Sequence, residues 1–154
     1  MEKSSFSVDA VDFIGHRVTP QGASTLQSHV EAISKLETLT NLKELRRLLG
    51  AAGFYRKFVL RFANIVEPLN ELLIGDTDFT WSDQRHQAFE QLKTALTSAA
   101  ILAHFDSQLP TQVTTDASAV VIGAGLSQTQ PEGSDRPVAY ASRTLFTAER
   151  AYSV

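Results

Sequence analysis

The chain contains no cysteine among its 154 residues, and only one methionine and one tryptophan. The absence of cysteine excludes a disulfide scaffold, a thiol nucleophile, a zinc ribbon and a cysteine-ligated iron–sulfur cluster. Its four histidines (His16, His29, His86 and His104) are scattered without the spacing of metal ligands, so we expect them to be surface or packing residues.

Long apolar runs are also missing. The longest, residues 117–126, is too short to cross a bilayer, and the N-terminus lacks the apolar segment of a secretory signal. We therefore expect neither a membrane partner nor secretion. The composition, 43% hydrophobic and 20% charged, is that of an ordinary globular protein.

Excess positive charge is absent overall, since the net charge is −3, and this value alone argues against nucleic-acid binding. The charges are nevertheless unevenly distributed. Residues 42–66 carry six basic side chains and one acidic, whereas residues 67–90 carry six acidic and one basic. Such blocks are typical either of solvated helix faces that attract each other or of surfaces with opposed potentials.

The hydrophobic pattern predicts an α+β fold. Short apolar segments at 6–8, 11–15 and 17–19, followed by the turn 19–22, predict an N-terminal β-hairpin or small meander. Helical periodicity follows from residue 26, with Asn41 and Ser82 as predicted N-caps and Pro68 in a predicted first turn, ended by Gly75. Segments 111–116, 120–126 and 136–142 predict an antiparallel three-stranded sheet, after which Thr147 is the expected cap of a final helix.

The helix after Asn41 has two unlike sides. At 100° per residue, leucines and Ala52 share one side, and the pattern continues through Tyr55 to Val59. The opposite side carries cations with a central glycine and one aromatic ring: Lys43, Arg46, Arg47, Gly50, Phe54 and Lys57. Glycine costs about 1 kcal/mol relative to alanine inside a helix, and it is usually retained where another molecule or segment approaches the backbone.

Asp116 is the only acidic residue of the chain that suggests chemistry, because it ends a predicted strand beside a small-residue run. A lone aspartate there is more often a turn former than a catalyst. Metal-dependent phosphodiester cleavage requires several carboxylates around two cations, and no partner for Asp116 is evident.

Taken in order, several segments resemble gypsy-type LTR retrotransposon reverse transcriptases. Residues 11–16 (VDFIGH) resemble the primer-grip hairpin, and 43–50 (KELRRLLG) with 54–58 (FYRKF) resemble the thumb. Segments 68–73, 79–81 and 88–93 resemble the link to ribonuclease H. Segments 115–118 (TDAS), 123–128 (GAGLSQ) and 137–143 (PVAYASR) resemble the opening strands of that domain.

This resemblance implies a residue-by-residue assignment. Phe13, Ile14 and Gly15 would hold the primer 3′ end, while Arg46, Gly50 and Phe54 would follow the minor groove of the template–primer duplex. Lys43, Arg47 and Lys57 would add phosphate contacts. Asp116 would be the first metal ligand for cleaving RNA in an RNA–DNA hybrid, with Mg²⁺ as the expected cofactor.

The resemblance also implies a division into a hairpin (1–25), a helical thumb (26–75), a linker or connection (76–108) and the N-terminal part of a ribonuclease H-like domain (109–154). No Tyr-x-Asp-Asp motif occurs, and the further acids of both active sites would lie outside the chain. We therefore expect a truncated fragment, inactive alone, whose partners are the rest of the polymerase and the duplex.

The sequence departs from the family where Leu36 to Leu39 replace a usual proline-containing segment, and where Ala100 and His104 replace usual prolines. Two alternatives to duplex binding remain open. The chain could be a non-catalytic interaction or regulatory protein derived from such an element, with its basic face against an acidic protein. It could also be a nuclease completed by a partner chain.

Overall fold

The computed structural model describes residues 8–74 and 79–151, and it has the α+β composition that the pattern predicts. The strands and helices in chain order are β1 (Val11–Phe13), β2 (His16–Thr19), β3 (Gly22–Thr25), α1 (Gln27–Ser34), α2 (Leu42–Phe54), α3 (Phe62–Asn70), α4 (Asp83–Thr97), β4 (Thr111–Ala117), β5 (Val121–Thr129), β6 (Asp135–Thr144) and α5 (Thr147–Arg150). Two short 3₁₀ turns follow α2 and α3, at Arg56–Phe58 and Glu71–Leu73.

The first sheet is an antiparallel meander in the order β1-β2-β3. Of the two predicted forms, a β-hairpin or a small meander, the small meander is confirmed. Val11 pairs with Val18, and Val18 with Ala23 across the next pair. The third strand was not predicted, because 22–25 is a short run of small and hydroxylated residues. Of the predicted strand at 6–8, residues 6 and 7 lie outside the described part of the chain.

The helices share one apolar core. Its largest fully buried side chains come from α2, the turn after it, α3, the turn after that and α4: Leu45, Phe58, Leu69, Leu72, Phe89, Leu92 and Leu96. The α4 face that the periodicity predicts is the buried face. Ser82 caps α4 by accepting a hydrogen bond from the Arg85 N–H (3.4 Å).

The predicted position of Pro68 is wrong. Helix α3 begins at Phe62, and Pro68 stands near its C-terminal end rather than in its first turn. Phe62, Ala63, Val66 and Leu69 are buried, and this apolar spacing starts the helix six residues before the proline. The predicted helix end at Gly75 lies outside the described residues.

The second sheet, in the order β4-β5-β6, confirms the three predicted strands. The pairing of β5 with β6 shifts register between Leu126 and Ser127. Asp116 on β4 pairs with Gly123 on β5. Thr147 is the first residue of α5 rather than its cap. Glu149 stabilises the helix start by accepting hydrogen bonds from the Arg143 guanidinium (2.6 Å) and from the Phe146 N–H (2.8 Å). These bonds, that of Arg143 first, lower the pKa of Glu149 to about 2.

The segment after α4 bridges the two sheets. Ala23 of the first sheet and Leu102 exchange two backbone hydrogen bonds of 2.8 Å, and the neighbouring Ala103 N–H donates to the Pro137 carbonyl on β6 (2.8 Å). The Ser142 hydroxyl accepts from the Ala63 N–H at the start of α3 (2.9 Å). The Ser142 bond holds the second sheet against α3 on the face that carries Asp116, since Ser142 and Asp116 both pair with Gly123.

Candidate nucleic-acid interface

Helix α2 is fixed at its start by the predicted cap. The Asn41 side chain accepts a hydrogen bond from the Glu44 N–H (2.9 Å). The Glu44 carboxylate does not return to Asn41 but accepts from the Thr40 N–H (2.9 Å) and hydroxyl (3.1 Å), which lowers the pKa of Glu44. The negative charge also lies in the first turn, where the helix dipole favours it.

The apolar side of α2 is buried through Leu45, Leu48 and Ala52. The opposite side is open to solvent, and we call it the basic face: Lys43, Arg46, Arg47, Gly50 and Phe54. Among the described residues, none of its three cations forms a salt bridge. Three positive charges that no described acidic side chain neutralises form a surface suited to an anion.

Lys57 does not belong to this face, and its predicted place on the helix is wrong. The helix ends at Phe54, and Lys57 lies in the following 3₁₀ turn, with Nζ 5.1 Å from the ring centroid of Phe58. The chain turns there because Phe58 enters the core, whereas on a continued helix it would lie beside Arg47 on the exposed side. Lys57 is nevertheless exposed close to the same end of α2.

No contact with the described residues requires glycine at position 50. A Cβ built on it would have no heavy atom within 4 Å apart from its chain neighbours and the backbone of its own helix, and the residue is exposed at the middle of α2. The packing of the described residues would therefore accept alanine, which is the better helix former.

The hairpin tip lies beside the end of α2. Phe13 and Ile14 are 62% and 68% exposed, and Ile14 and Gly15 both have positive φ (45° and 73°). Two such residues in succession are what the type I′ two-residue β-hairpin turn requires. The tip therefore presents two large apolar side chains to solvent next to the basic face.

His16 is the residue that joins the hairpin to α2. Its ring stacks on Phe54, with centroids 4.8 Å apart and planes at 3°, and it also contacts Tyr55 and Phe58. One face of Phe54 is therefore occupied within the chain, while the ring remains 47% exposed. Burial lowers the pKa of His16, and the charge of Lys57 lowers it further.

The His16 environment predicts a pH-dependent stability. Because its folded-state pKa lies below the ordinary value of 6.5, the unfolded chain binds the proton more readily, and stability falls as the pH drops through 6.5. We expect His16→Phe, which keeps an aromatic ring against Phe54, to reduce the fall in the urea midpoint between pH 7.5 and pH 5.5. An unchanged fall would contradict this assignment.

Asp116 is exposed on β4, and Arg61 is its partner. The Arg61 Nη2 lies 2.9 Å from the Asp116 Oδ2, in an ion pair whose side chains are 59% and 56% exposed. Arg61 precedes α3 with a left-handed backbone (φ 55°). A cleft of about 350 Å³ between this pair and the small residues of β5 opens to solvent.

The donor set around Asp116 does not amount to a metal site. Within residues 8–74 and 79–151, no group of three or more His, Asp or Glu side chains could hold a metal ion. One carboxylate already engaged by a guanidinium does not supply the several ligands that a divalent ion requires.

Two features were missed by sequence reasoning. Tyr55 was assigned only to the core, yet its hydroxyl donates to the Gly15 carbonyl of the hairpin (3.0 Å). The pairing of Arg61 with Asp116 links positions 55 apart in sequence and depends on the left-handed backbone at Arg61. No local pattern signals either contact.

Comparison with known proteins identifies the region. Residues 81–154 match the family described as the RNase H-like domain found in reverse transcriptase. The Tf2-3 and Tf2-4 transposon polyproteins of Schizosaccharomyces pombe are each 35% identical over 152 residues, which is 99% of this chain. The chain spans 11% of the length of these polyproteins.

Solved structures agree with this relationship. A foamy viral protease-reverse transcriptase in complex with dsDNA is 27% identical, with a TM-score of 0.81 over 99% of this chain and 32% of that chain. The same type of enzyme with an RNA/DNA hybrid gives a TM-score of 0.79 at 27% identity, over 99% of this chain and 21% of the other.

Members of the reverse transcriptase and ribonuclease H family usually use a divalent metal ion. No helix in the described part of the chain combines the length and apolar character needed to span a membrane. The similarity to transposon polyproteins over nearly the full chain, together with the domain match and the fold, leads to one assignment: the chain corresponds to the reverse transcriptase–ribonuclease H region of LTR retrotransposon polyproteins.

Proposed function

We propose that this chain binds the template–primer duplex, an RNA–DNA hybrid or its DNA product, for the polymerase and ribonuclease H of the longer protein. The observation that carries the proposal is the basic face of α2. Within residues 8–74 and 79–151 its cations form no salt bridge, and at its centre Gly50 has an open backbone. A nucleic-acid backbone is the polyanion that would use both features.

Lys43, Arg46 and Arg47 would neutralise phosphates, so the affinity would depend on salt and not on base sequence. Gly50 would let the sugar–phosphate backbone approach the helix, and the free face of Phe54 would lie against sugars. The exposed tip residues Phe13, Ile14 and Gly15 would hold the primer strand near its 3′ end. Lys57, outside the helix but exposed beside it, would add a further phosphate contact.

The foamy viral structures support this proposal, because similar proteins were captured with dsDNA and with an RNA/DNA hybrid. We propose the same division of labour for this chain: a primer-grip hairpin (1–25), a thumb (26–75), a connection (76–108) and the beginning of the ribonuclease H-like domain (109–154).

We further propose that Asp116 supplies one oxygen ligand to Mg²⁺ in the complete protein. The other ligands would have to come from beyond the described residues, and Arg61 would have to release the carboxylate. Mg²⁺ itself would stabilise charge on the scissile phosphate.

The test is a fluorescence anisotropy titration of a labelled RNA–DNA hybrid with the chain at several salt concentrations. We expect binding that weakens steeply between about 50 and 200 mM salt. Absence of salt-sensitive binding would contradict the proposal. Equal or tighter binding to an acidic protein such as a poly-glutamate carrier would favour the interaction-protein alternative.

Gly50→Ala separates a binding role from a folding role. We expect it to raise the free energy of unfolding by about 0.5–1 kcal/mol, because alanine favours the helix and meets no neighbour. The same variant should lower hybrid affinity roughly fivefold, about 1 kcal/mol, because the methyl group obstructs the approach of the duplex.

The matched control is Thr94→Ala, an exposed position on α4 whose hydroxyl bonds back to the Glu90 carbonyl. It should also stabilise a helix, yet leave hybrid affinity unchanged. If Gly50→Ala stabilises the chain without weakening binding, the duplex does not approach the helix at Gly50.

A further inference from the structure

The carbonyl of Gly15, at the hairpin tip, accepts two hydrogen bonds. It accepts a hydrogen bond from the Leu26 N–H (3.2 Å), next to α1, and another from the Tyr55 hydroxyl (3.0 Å), at the end of α2. Tyr55 is only 2% exposed, and burial raises the pKa of its hydroxyl. The tip of the hairpin is therefore attached to the helix that carries the basic face.

His29 on α1 completes the arrangement. Its Nδ1 lies 2.6 Å from the Tyr55 oxygen. The single hydroxyl hydrogen of Tyr55 is directed to the Gly15 carbonyl, which can only accept, so His29 must carry a hydrogen on Nδ1 and donate it. A chain of hydrogen bonds thus runs from α1 through Tyr55 to the tip.

The backbone of the hairpin tip at Ile14 is strained. Ile14 is β-branched and has φ of 45°, a region that such residues rarely occupy. Phe54 also lies close, since its Cε1 would be 3.1 Å from a Cβ on Gly15. Strained backbone of this kind persists where surrounding contacts over-determine it, often at functional sites.

We propose that Tyr55 and His29 are positioning residues that set the distance between the hairpin tip and the basic face of α2. When this distance is fixed, the hairpin tip contacts the primer end while the cations of the basic face contact phosphates of the same duplex. This inference rests on the proposed function, because it assumes that both surfaces contact one nucleic acid. Neither residue touches the duplex in this arrangement.

The test compares two hybrids, one with a recessed primer 3′ end and one long duplex whose ends are blocked by hairpin loops. The wild-type chain should prefer the recessed end. Tyr55→Phe keeps the buried ring but removes the hydroxyl, and it should lower affinity for the recessed end about fivefold, as expected for one lost hydrogen bond. Its affinity for the end-blocked duplex should stay the same.

His29 offers a rescue. His29→Ala should reproduce the loss of preference, whereas His29→Asn, whose amide nitrogen can take the place of Nδ1, should restore most of it. Arg46→Ala is the contrasting variant and should weaken both hybrids equally. Amide hydrogen exchange at Gly15 and His16 should accelerate in Tyr55→Phe and His29→Ala alone.

The outcomes are separable. If the wild-type chain binds neither hybrid, the proposed function fails, and the positioning role fails with it. If it prefers the recessed end and Tyr55→Phe retains that preference, only the positioning role is overturned. An equal loss on both hybrids in Tyr55→Phe, accompanied by a lower melting temperature, would also overturn it, because general damage would then account for the effect.

Discussion

The variant Arg46→Glu with Arg47→Glu is expected to bind an RNA–DNA hybrid at least about a hundredfold more weakly than the wild-type chain at roughly 0.1 M salt. Each substitution removes a cation and adds an anion on a face where no described residue pairs with the cations. The dependence of log affinity on log salt should also lose at least about two units of slope, one for each phosphate contact. Anisotropy titrations over a salt series measure both quantities.

The fold should survive this change, because both side chains are exposed and the buried residues of α2 are untouched. A matched control is Lys35→Glu with Arg150→Glu, which shifts the net charge equally at positions after α1 and at the end of α5. The control should lose affinity only slightly. Equal losses in both double variants would mean that net charge and not the basic face governs binding.

The largest effect on stability is expected from Gly22→Ala. Gly22 is buried with φ of 142°, and a Cβ there would lie 2.0 Å from the Leu102 carbonyl oxygen. The clash would displace the backbone pairing of Ala23 with Leu102, the bridge between the first sheet and the segment after α4. Two hydrogen bonds and the strained backbone together predict a loss of about 3 kcal/mol or more, measured by urea unfolding.

Gly133→Ala is the control for Gly22→Ala. Its φ is also positive (85°), but a Cβ there has open space. It should lower the free energy of unfolding only by the cost of placing alanine in a left-handed backbone, about 1–2 kcal/mol. If Gly22→Ala is no more destabilising than Gly133→Ala, the close contact with Leu102 does not exist in solution.

Features that depend on local sequence could be predicted. Asn41 and Ser82 were recognised as caps because a cap is set by a side chain and the N–H groups within the next three residues. The three strands of the second sheet followed from β-branched runs and one polar turn. The cations and Gly50 could be placed on one face because α2 keeps its regular period up to Phe54.

Features that depend on tertiary contacts could not be predicted. The end of α2 before Lys57 is set by Phe58 entering the core, and a helical wheel does not include that core. The attachment of Tyr55 to Gly15 joins residues 40 apart in sequence. The engagement of Asp116 by Arg61 depends on how the second sheet meets α3. The candidate binding residues of α2 were therefore predictable as a face, but their placement relative to the hairpin tip was not.

The most direct test of the proposed duplex surface is amide chemical-shift mapping of the wild-type chain on addition of an RNA–DNA hybrid with a recessed primer end. We expect shifts concentrated in residues 13–16 and along the exposed side of α2 from Lys43 to Phe54, and these shifts should fade as salt is raised. Shifts confined to the second sheet, or none at a concentration of hybrid that saturates anisotropy, would contradict it.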